Sequence, residues 1–214
     1  ALAFKFYDGT YTTRLLDIEW TMGRTGVLTP VAIFEPVDID GSTVERASLH
    51  NISVMAGIFS PLGPHKYQEI EVFKANMIIP QIASANKEGL YEENKILIPR
   101  ECPVCGGMTQ HWAENDSVVL VCIDSGCPGK LINRLDHFCG KKGLDMKGIS
   151  KATLEKLIDW GWVSKCSDIF DLATHDKEWV QKPGFGVKSV EKALGAISTG
   201  SHCELHQFIA AIGI

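Results

Sequence analysis

Four of the seven cysteines, Cys102, Cys105, Cys122 and Cys127, fall in the pattern C-x2-C-x16-C-x4-C. Each close pair offers two thiolates on a tight turn, Pro103 and Gly106-Gly107 shaping the first. Two such turns facing each other make a tetrahedral four-sulfur site for Zn2+. With all four positions filled by protein, nothing is left open for a substrate, so the expected role is structural. The same residues could instead pair as disulfides or stand as unrelated buried thiols. Disulfides go with secretion, however, and no basic–apolar–small signal segment opens the sequence. His111 is a possible substitute ligand that reads better as a surface histidine, and the isolated Cys139, Cys166 and Cys203 read as core thiols.

A second constellation is built from glycines. Met146-Lys147-Gly148-Ile149-Ser150-Lys151 precedes a helical pattern through Leu154, Leu157 and Ile158, and Lys182-Pro183-Gly184-Phe185-Gly186-Val187-Lys188 precedes another. Both have a small–apolar–small core with a basic residue close behind, the layout of a helix–hairpin–helix unit. Glycines let a hairpin backbone approach a phosphate, and the amides of the hairpin and of the next helix start point at it. Such contacts read backbone and not base sequence. The candidate contacts are Gly148, Ile149, Ser150 and Lys151 in the first copy, and Gly184, Phe185, Gly186 and Lys188 in the second. The first copy has Ser150 where the second has its second glycine. An ordinary helix–helix turn is the alternative for either one. Phe208–Ile214 resembles the opening of a third copy that is cut off.

Net charge argues weakly against a nucleic-acid partner, since 21 Lys+Arg face 26 Asp+Glu for −5 over 214 residues. The charge is unevenly distributed, however. Residues 128–165 hold eight basic and four acidic side chains and contain the first hairpin, while residues 102–127 hold three acidic and no basic ones. A local basic face is therefore available. At 45% apolar and 22% charged residues, the composition is that of a globular protein. The longest apolar run, Val118–Ile123, is far short of the ~20 residues that span a bilayer. A cytoplasmic chain with no membrane partner is expected.

These residues need elements to hold them. The first half reads as short strands, Ala1–Tyr7, Thr12–Trp20, Leu28–Pro36, Thr43–Leu49, Gln68–Phe73 and Ile78–Ala83, separated by turns at Asp8-Gly9, Gly23–Gly26, Asp40-Gly41 and Pro61–Pro64. Strands at this spacing suggest a small closed or partly open barrel. After a polar stretch over 86–101 and the cysteine segment, the pattern turns helical over Lys130–Cys139, Lys151–Trp160, Ser167–Ala173, Val187–Ser198 and Cys203–Ile212. The fold class is multidomain, β then α.

The order barrel, four-cysteine insert, hairpin repeats, together with Gly23-Arg24-Thr25-Gly26-Val27-Leu28-Thr29-Pro30-Val31-Ala32, Leu49-His50-Asn51 and Ala3-Phe4-Lys5-Phe6, closely resembles the bacterial-type NAD-dependent DNA ligases along nearly the whole chain. The resemblance implies the last strand of an adenylation domain over 1–9, an OB-fold over 10–86, a linker over 87–101, a four-cysteine zinc finger over 102–130 and a truncated helix–hairpin–helix domain over 131–214. It implies Arg24, Thr25 and Gly26 as a loop that meets the DNA backbone near a nick. It implies NAD and Mg2+ for the complete enzyme, nicked duplex DNA as partner, and an adenylation domain supplied upstream or in trans. That family adenylates a lysine in a K-x-D-G motif, which then acts as nucleophile. Lys5-Phe6-Tyr7-Asp8-Gly9 is one residue too long for it. Lys5 instead matches a catalytic lysine that contacts the nucleotide's phosphate. The chain alone, whether fragment or split subunit, is expected not to form the lysyl-AMP intermediate. The sequence departs from the family at Lys74–Pro80, which keeps the proline of a later barrel strand but lacks its arginine, glycine and acid. Gly57–His65 lacks the charged helix and turn usual there. A stand-alone zinc-containing DNA-binding scaffold is the alternative reading.

Overall fold

A computed structural model describes residues 9–214 of the chain, the side chain of Glu114 excepted; Lys5 and the strand expected over Ala1–Tyr7 lie outside the described residues. The chain divides into two compact units, the first ending at Asp124 and the second running Ser125–Ile214.

In the first unit β1 (Tyr11–Met22) pairs antiparallel with β2 (Val27–Ile39) on one side and with β4 (Glu69–Ala75) on the other. The second part of β2 pairs with β3 (Ser42–Ser48), β4 pairs with β5 (Ile79–Ala85), and β3 lies against β5. The strands form because their apolar residues alternate: Leu28, Pro30, Ala32 and Phe34 of β2 point inward, with half-buried residues between them. Register shifts between Leu15 and Asp17 and between Ile33 and Val37 bend the strands, as curling round a small core requires. That core holds Leu15, Phe34, Ile39, Leu49, Ile70 and Val72. The helix α1 (Ile52–Phe59), between β3 and β4, adds Met55 and Phe59 to it. The Asn51 side chain caps α1 by accepting a hydrogen bond from the Val54 amide at 2.9 Å. Five strands with a helix between the third and fourth make the OB-fold that the sequence implied. No strand or helix spacing in the sequence marks α1, which stands where a helix was not expected.

The strands β6 (Thr109–Glu114) and β7 (Ser117–Cys122) form a ribbon whose two-residue turn, Asn115-Asp116, has both φ angles positive, at 46° and 63°. Such turns match the right-handed strand twist. The ribbon extends the barrel's sheet, since Val27 and Leu28 of β2 pair with Val121 and Leu120 of β7. Leu28, Ile52 and Leu120 bury one another at that junction, with Ile98 packed alongside. Residues 87–101 contain a 3-10 turn at Glu92–Asn94 and bridge back to the barrel through Lys95 and His65.

The second unit contains α2 (Pro128–Cys139), α3 (Lys151–Asp159), a 3-10 helix (Cys166–His175), α4 (Asp176–Gln181), α5 (Val187–Gly200) and α6 (Leu205–Ile212). Its core gathers Leu135, Phe138, Leu154, Leu157, Ile169, Leu172, Trp179 and Val190. The Ser167–Ala173 stretch, expected as α-helix, lies in the 3-10 helix: its buried Ile169 and Leu172 are three apart, the spacing that stacks in a 3-10 turn. The six-residue α4, not read from the sequence, buries Trp179. Among the described residues no helix is long and apolar enough to cross a membrane.

Candidate metal centre and nucleic-acid interface

The four spaced cysteines converge: one sulfur from each of Cys102, Cys105, Cys122 and Cys127 lies within 4.8 Å of the others. The first knuckle is a closed turn in which the Gly106 amide donates to the Cys102 carbonyl at 2.8 Å and the Cys102 amide to the Gly107 carbonyl at 2.7 Å. Gly106 has φ +71°, a conformation an L side chain resists. A Cβ on Gly107 would crowd Asp124 Cβ at 3.1 Å and the Cys105 sulfur at 3.2 Å. The Val104 amide donates to the Cys102 sulfur and the Gly107 amide to the Cys105 sulfur, each at 3.4 Å. Burial disfavours the Cys102 thiolate, but the amides of Cys105 and Val104 outweigh it and hold this thiol below its ordinary pKa; burial pushes Cys122 up. Cys122 ends β7, and Cys127 is the residue before α2, whose first turn starts with Pro128.

Among the described residues no disulfide joins any of the seven cysteines. Zinc–sulfur bonds of about 2.3 Å would place tetrahedral sulfurs about 3.8 Å apart. Cys105 and Cys122 lie at 3.7 Å. The donor set and spacing fit a metal ion, and the cluster can hold one. His111 is exposed on β6 and outside the cluster.

The Gly23–Gly26 turn joins β1 to β2. The Gly23 amide donates to the Val27 carbonyl at 2.8 Å, and Gly26 has φ +91°. Arg24 and Thr25 are exposed at its tip, whereas Gly26 is buried and its carbonyl accepts the Cys122 amide at 3.0 Å. The structure therefore presents two of these three candidates to solvent and uses the third to tie the loop to the cysteine ribbon. At the divergent Lys74–Pro80 stretch, Lys74 is buried and its ammonium donates to the Ile39 carbonyl at 2.6 Å and to the Ser42 hydroxyl. It clamps the β2–β3 turn, a structural use that no spacing in the sequence announces.

The two glycine hairpins adopt the same turn. In the first the Ile149 amide donates to the Met146 carbonyl at 3.2 Å, and in the second the Phe185 amide donates to the Lys182 carbonyl at 3.1 Å. The third position of each carries positive φ, Gly148 at 104° and Gly184 at 86°, as a type II turn demands, and Pro183 holds the position before it in the second copy. The apolar tip anchors each hairpin. Ile149 is buried in the helical core, and Phe185 packs on Trp160 and Trp179, with both ring centroids 5.7 Å away. The Ser150 hydroxyl caps α3 by accepting the Thr153 amide at 3.2 Å. Gly186 precedes α5, and its amide donates to the Ser189 hydroxyl at 2.9 Å. Lys151 donates to the Asn133 side chain at 2.7 Å, while Lys188 is exposed in the first turn of α5.

Sequence reading passed over the aromatic group beneath the second hairpin. Lys182 Nζ lies 5.2 Å from the Trp160 ring centroid and 5.4 Å from that of Trp162, and it pairs with Glu178 at 2.8 Å. The Trp160-x-Trp162 pair was the available signal. In the last stretch, α6 ends on Gly213 at φ 91° with Leu205, Phe208, Ile209 and Ile212 exposed.

Known proteins resemble this chain along its length. The family model for the NAD-dependent DNA ligase OB-fold domain matches residues 12–94. A DNA ligase of Ruminiclostridium cellulolyticum is 41% identical over 214 residues, covering 100% of this chain and 31% of that protein. A DNA ligase of Lachnoclostridium phytofermentans is 41% identical over 213 residues with the same coverage. One from Thermosipho africanus is 37% identical over 215 residues. The chain spans 31% of the length of these curated relatives. The chain is therefore similar to DNA ligases from end to end, and residues 12–94 carry the pattern of the NAD-dependent DNA ligase OB-fold domain.

Proposed function

We propose that this chain is the DNA-gripping portion of an NAD-dependent DNA ligase, holding nicked duplex for phosphodiester bond formation in replication and repair. The observation that carries the reading is the duplicated turn. Two hairpins with left-handed glycines, Gly148 and Gly184, each lead directly into a helix, and both glycines are exposed. Residues 131–214 then act as a helix–hairpin–helix domain that contacts phosphates without reading bases. Arg24 and Thr25 add a contact from the barrel. Cys102, Cys105, Cys122 and Cys127 hold a structural zinc ion, which would fix the ribbon to which the Gly26 carbonyl is tied. Lys5 contacts the nucleotide's phosphate in the complete enzyme, where NAD and Mg2+ supply the adenylyl chemistry. No K-x-D-G occurs in these 214 residues, so the lysyl-AMP forms on an adenylation domain in the same longer chain or supplied in trans.

The test is binding to a labelled nicked duplex at low salt. Affinity should fall steeply with salt and vary little with sequence. Gly184→Val, which forces a β-branched side chain into positive φ, should weaken binding about tenfold or more while the chain stays folded by circular dichroism. A flat isotherm at low salt defeats the reading. Equal affinity of folded Gly184→Val and parent reduces the hairpin to a plain turn. Labelled NAD should leave the chain unlabelled, and stoichiometric labelling would contradict the placement of the nucleophile.

A further inference from the structure

The two hairpin repeats align along the sequence at the offset separating Gly148 from Gly184. Ser150 then matches Gly186, Leu154 matches Val190, Glu155 matches Glu191, and Lys156 matches Lys192. The matched lysines lie on the helix that follows each hairpin, α3 for the first and α5 for the second. Neither lysine serves its own hairpin in the fold. A Cβ built on Gly184 would meet Lys156 Nζ at 3.3 Å, and the same ammonium lies 5.1 Å from the Phe185 ring centroid. A Cβ built on Gly148 would meet Lys192 Cγ at 3.7 Å and Cδ at 3.8 Å. The lysine of each repeat therefore lies across the left-handed glycine of the other.

The exchange lays a lysine side chain where each backbone is barest, with the Lys156 ammonium itself at Gly184. Gly148, Gly184, Lys156 and Lys192 are all exposed. None of the ion pairs found among the described residues involves Lys156 or Lys192. Glu155 and Glu191 sit one residue before them, about 100° round each helix. Lys156 is steadied by an aromatic face, which holds an ammonium in place without neutralising its charge. A larger residue than glycine would strain the backbone at either turn, and at Gly184 it would also crowd the Lys156 ammonium.

We propose that Lys156 and Lys192 are exchanged phosphate-binding residues, each supplying the counter-charge for the hairpin of the other repeat. The proposal deepens the function above and rests on its reading that the hairpins meet the DNA backbone. The ligand class is a nucleic-acid phosphate, one at each hairpin. Because each hairpin borrows its cation from the helix of the other, neither binds fully unless both repeats are docked.

The experiment measures nicked-duplex affinity of the full chain across salt for the parent, Lys156→Gln, Lys192→Gln and the charge-keeping Lys156→Arg. Each glutamine variant should lower affinity and flatten the salt dependence by about one phosphate contact. The affinity change between about 50 and 200 mM salt should then shrink roughly threefold, with Lys156→Arg close to the parent. Pairwise variants test the exchange itself. Lys156→Gln should be non-additive with Lys188→Gln of the second hairpin and additive with Lys151→Gln of the first. The opposite coupling pattern, or glutamine variants with unchanged salt slope in a parent that binds, overturns the exchange and leaves the DNA reading standing. A parent that fails to bind at low salt overturns both.

Discussion

Asp168 shows how much one half-buried side chain can organise. Its carboxylate accepts hydrogen bonds from the Ser164 amide at 2.9 Å, the Ser164 hydroxyl at 2.8 Å and the Lys165 amide at 3.1 Å, closing the start of the 3-10 helix. The Ser164 amide first, and then its hydroxyl, hold the Asp168 pKa below the ordinary 3.8. A carboxyl whose folded pKa is depressed contributes stability that is present above its unfolded pKa and lost as pH falls through the folded value. Asp168→Asn should therefore lower the melting temperature at neutral pH, and the gap to the parent should close as pH falls below the ordinary carboxylate range and through the depressed folded value. A gap of constant size across that range would show that the negative charge is not what the cap uses. The same scale sets what can be read from sequence. The four cysteines were legible because ligand spacing is local, and Gly148 and Gly184 because a turn is local. Lys156 and Lys192 were not, since what each one touches is chosen by packing between helices.

Elements were legible where their apolar period was clean. Alternation in β2 exposes its strand character, and the i, i+3, i+4 spacing does the same for α3 and α5. The helix α1 has no such contrast. Its sequence, ISVMAGIF, carries no charged residue to mark an outer face, and only Asn51 as a cap hints at it. Yet α1 closes one end of the barrel core through Met55 and Phe59, which are 3% and 1% exposed. Phe59→Ala should cost about 3–5 kcal/mol, the usual range for emptying a buried aromatic site. Val54→Ala, on the exposed side of the same helix, should shift stability by no more than about 0.5 kcal/mol. Chemical denaturation of both variants checks the contrast, and equal small effects would mean that α1 packs too loosely to close the barrel. The ribbon of β6 and β7 was legible as a cysteine insert. Its pairing with β2 was not, because that depends on Leu120 meeting Leu28 and on the Cys122 amide finding the Gly26 carbonyl.

For the whole molecule, the net charge of −5 hides a division of labour. The residues up to Asp124 hold nine basic and sixteen acidic side chains, and those from Ser125 onward hold twelve and ten. The excess of cations thus falls in the unit that carries both hairpins. The cores divide in the same way: the barrel cluster around Leu15 and Phe34 shares no residue with the helical cluster around Leu157 and Trp179. A cooperative transition spreads through shared packing, so separate cores predict separate transitions. Calorimetry of the full chain should give a measured enthalpy larger than the van't Hoff value of either step. Leu15→Ala and Leu157→Ala, each emptying a site with 0% exposure, should cost about 2–5 kcal/mol and each move only its own transition. One sharp transition moved alike by both variants would show that the units fold as one. Two transitions would mean that the helical unit can lose its hairpins while the barrel stays intact, so nicked-duplex affinity should decay with the transition that Leu157→Ala moves.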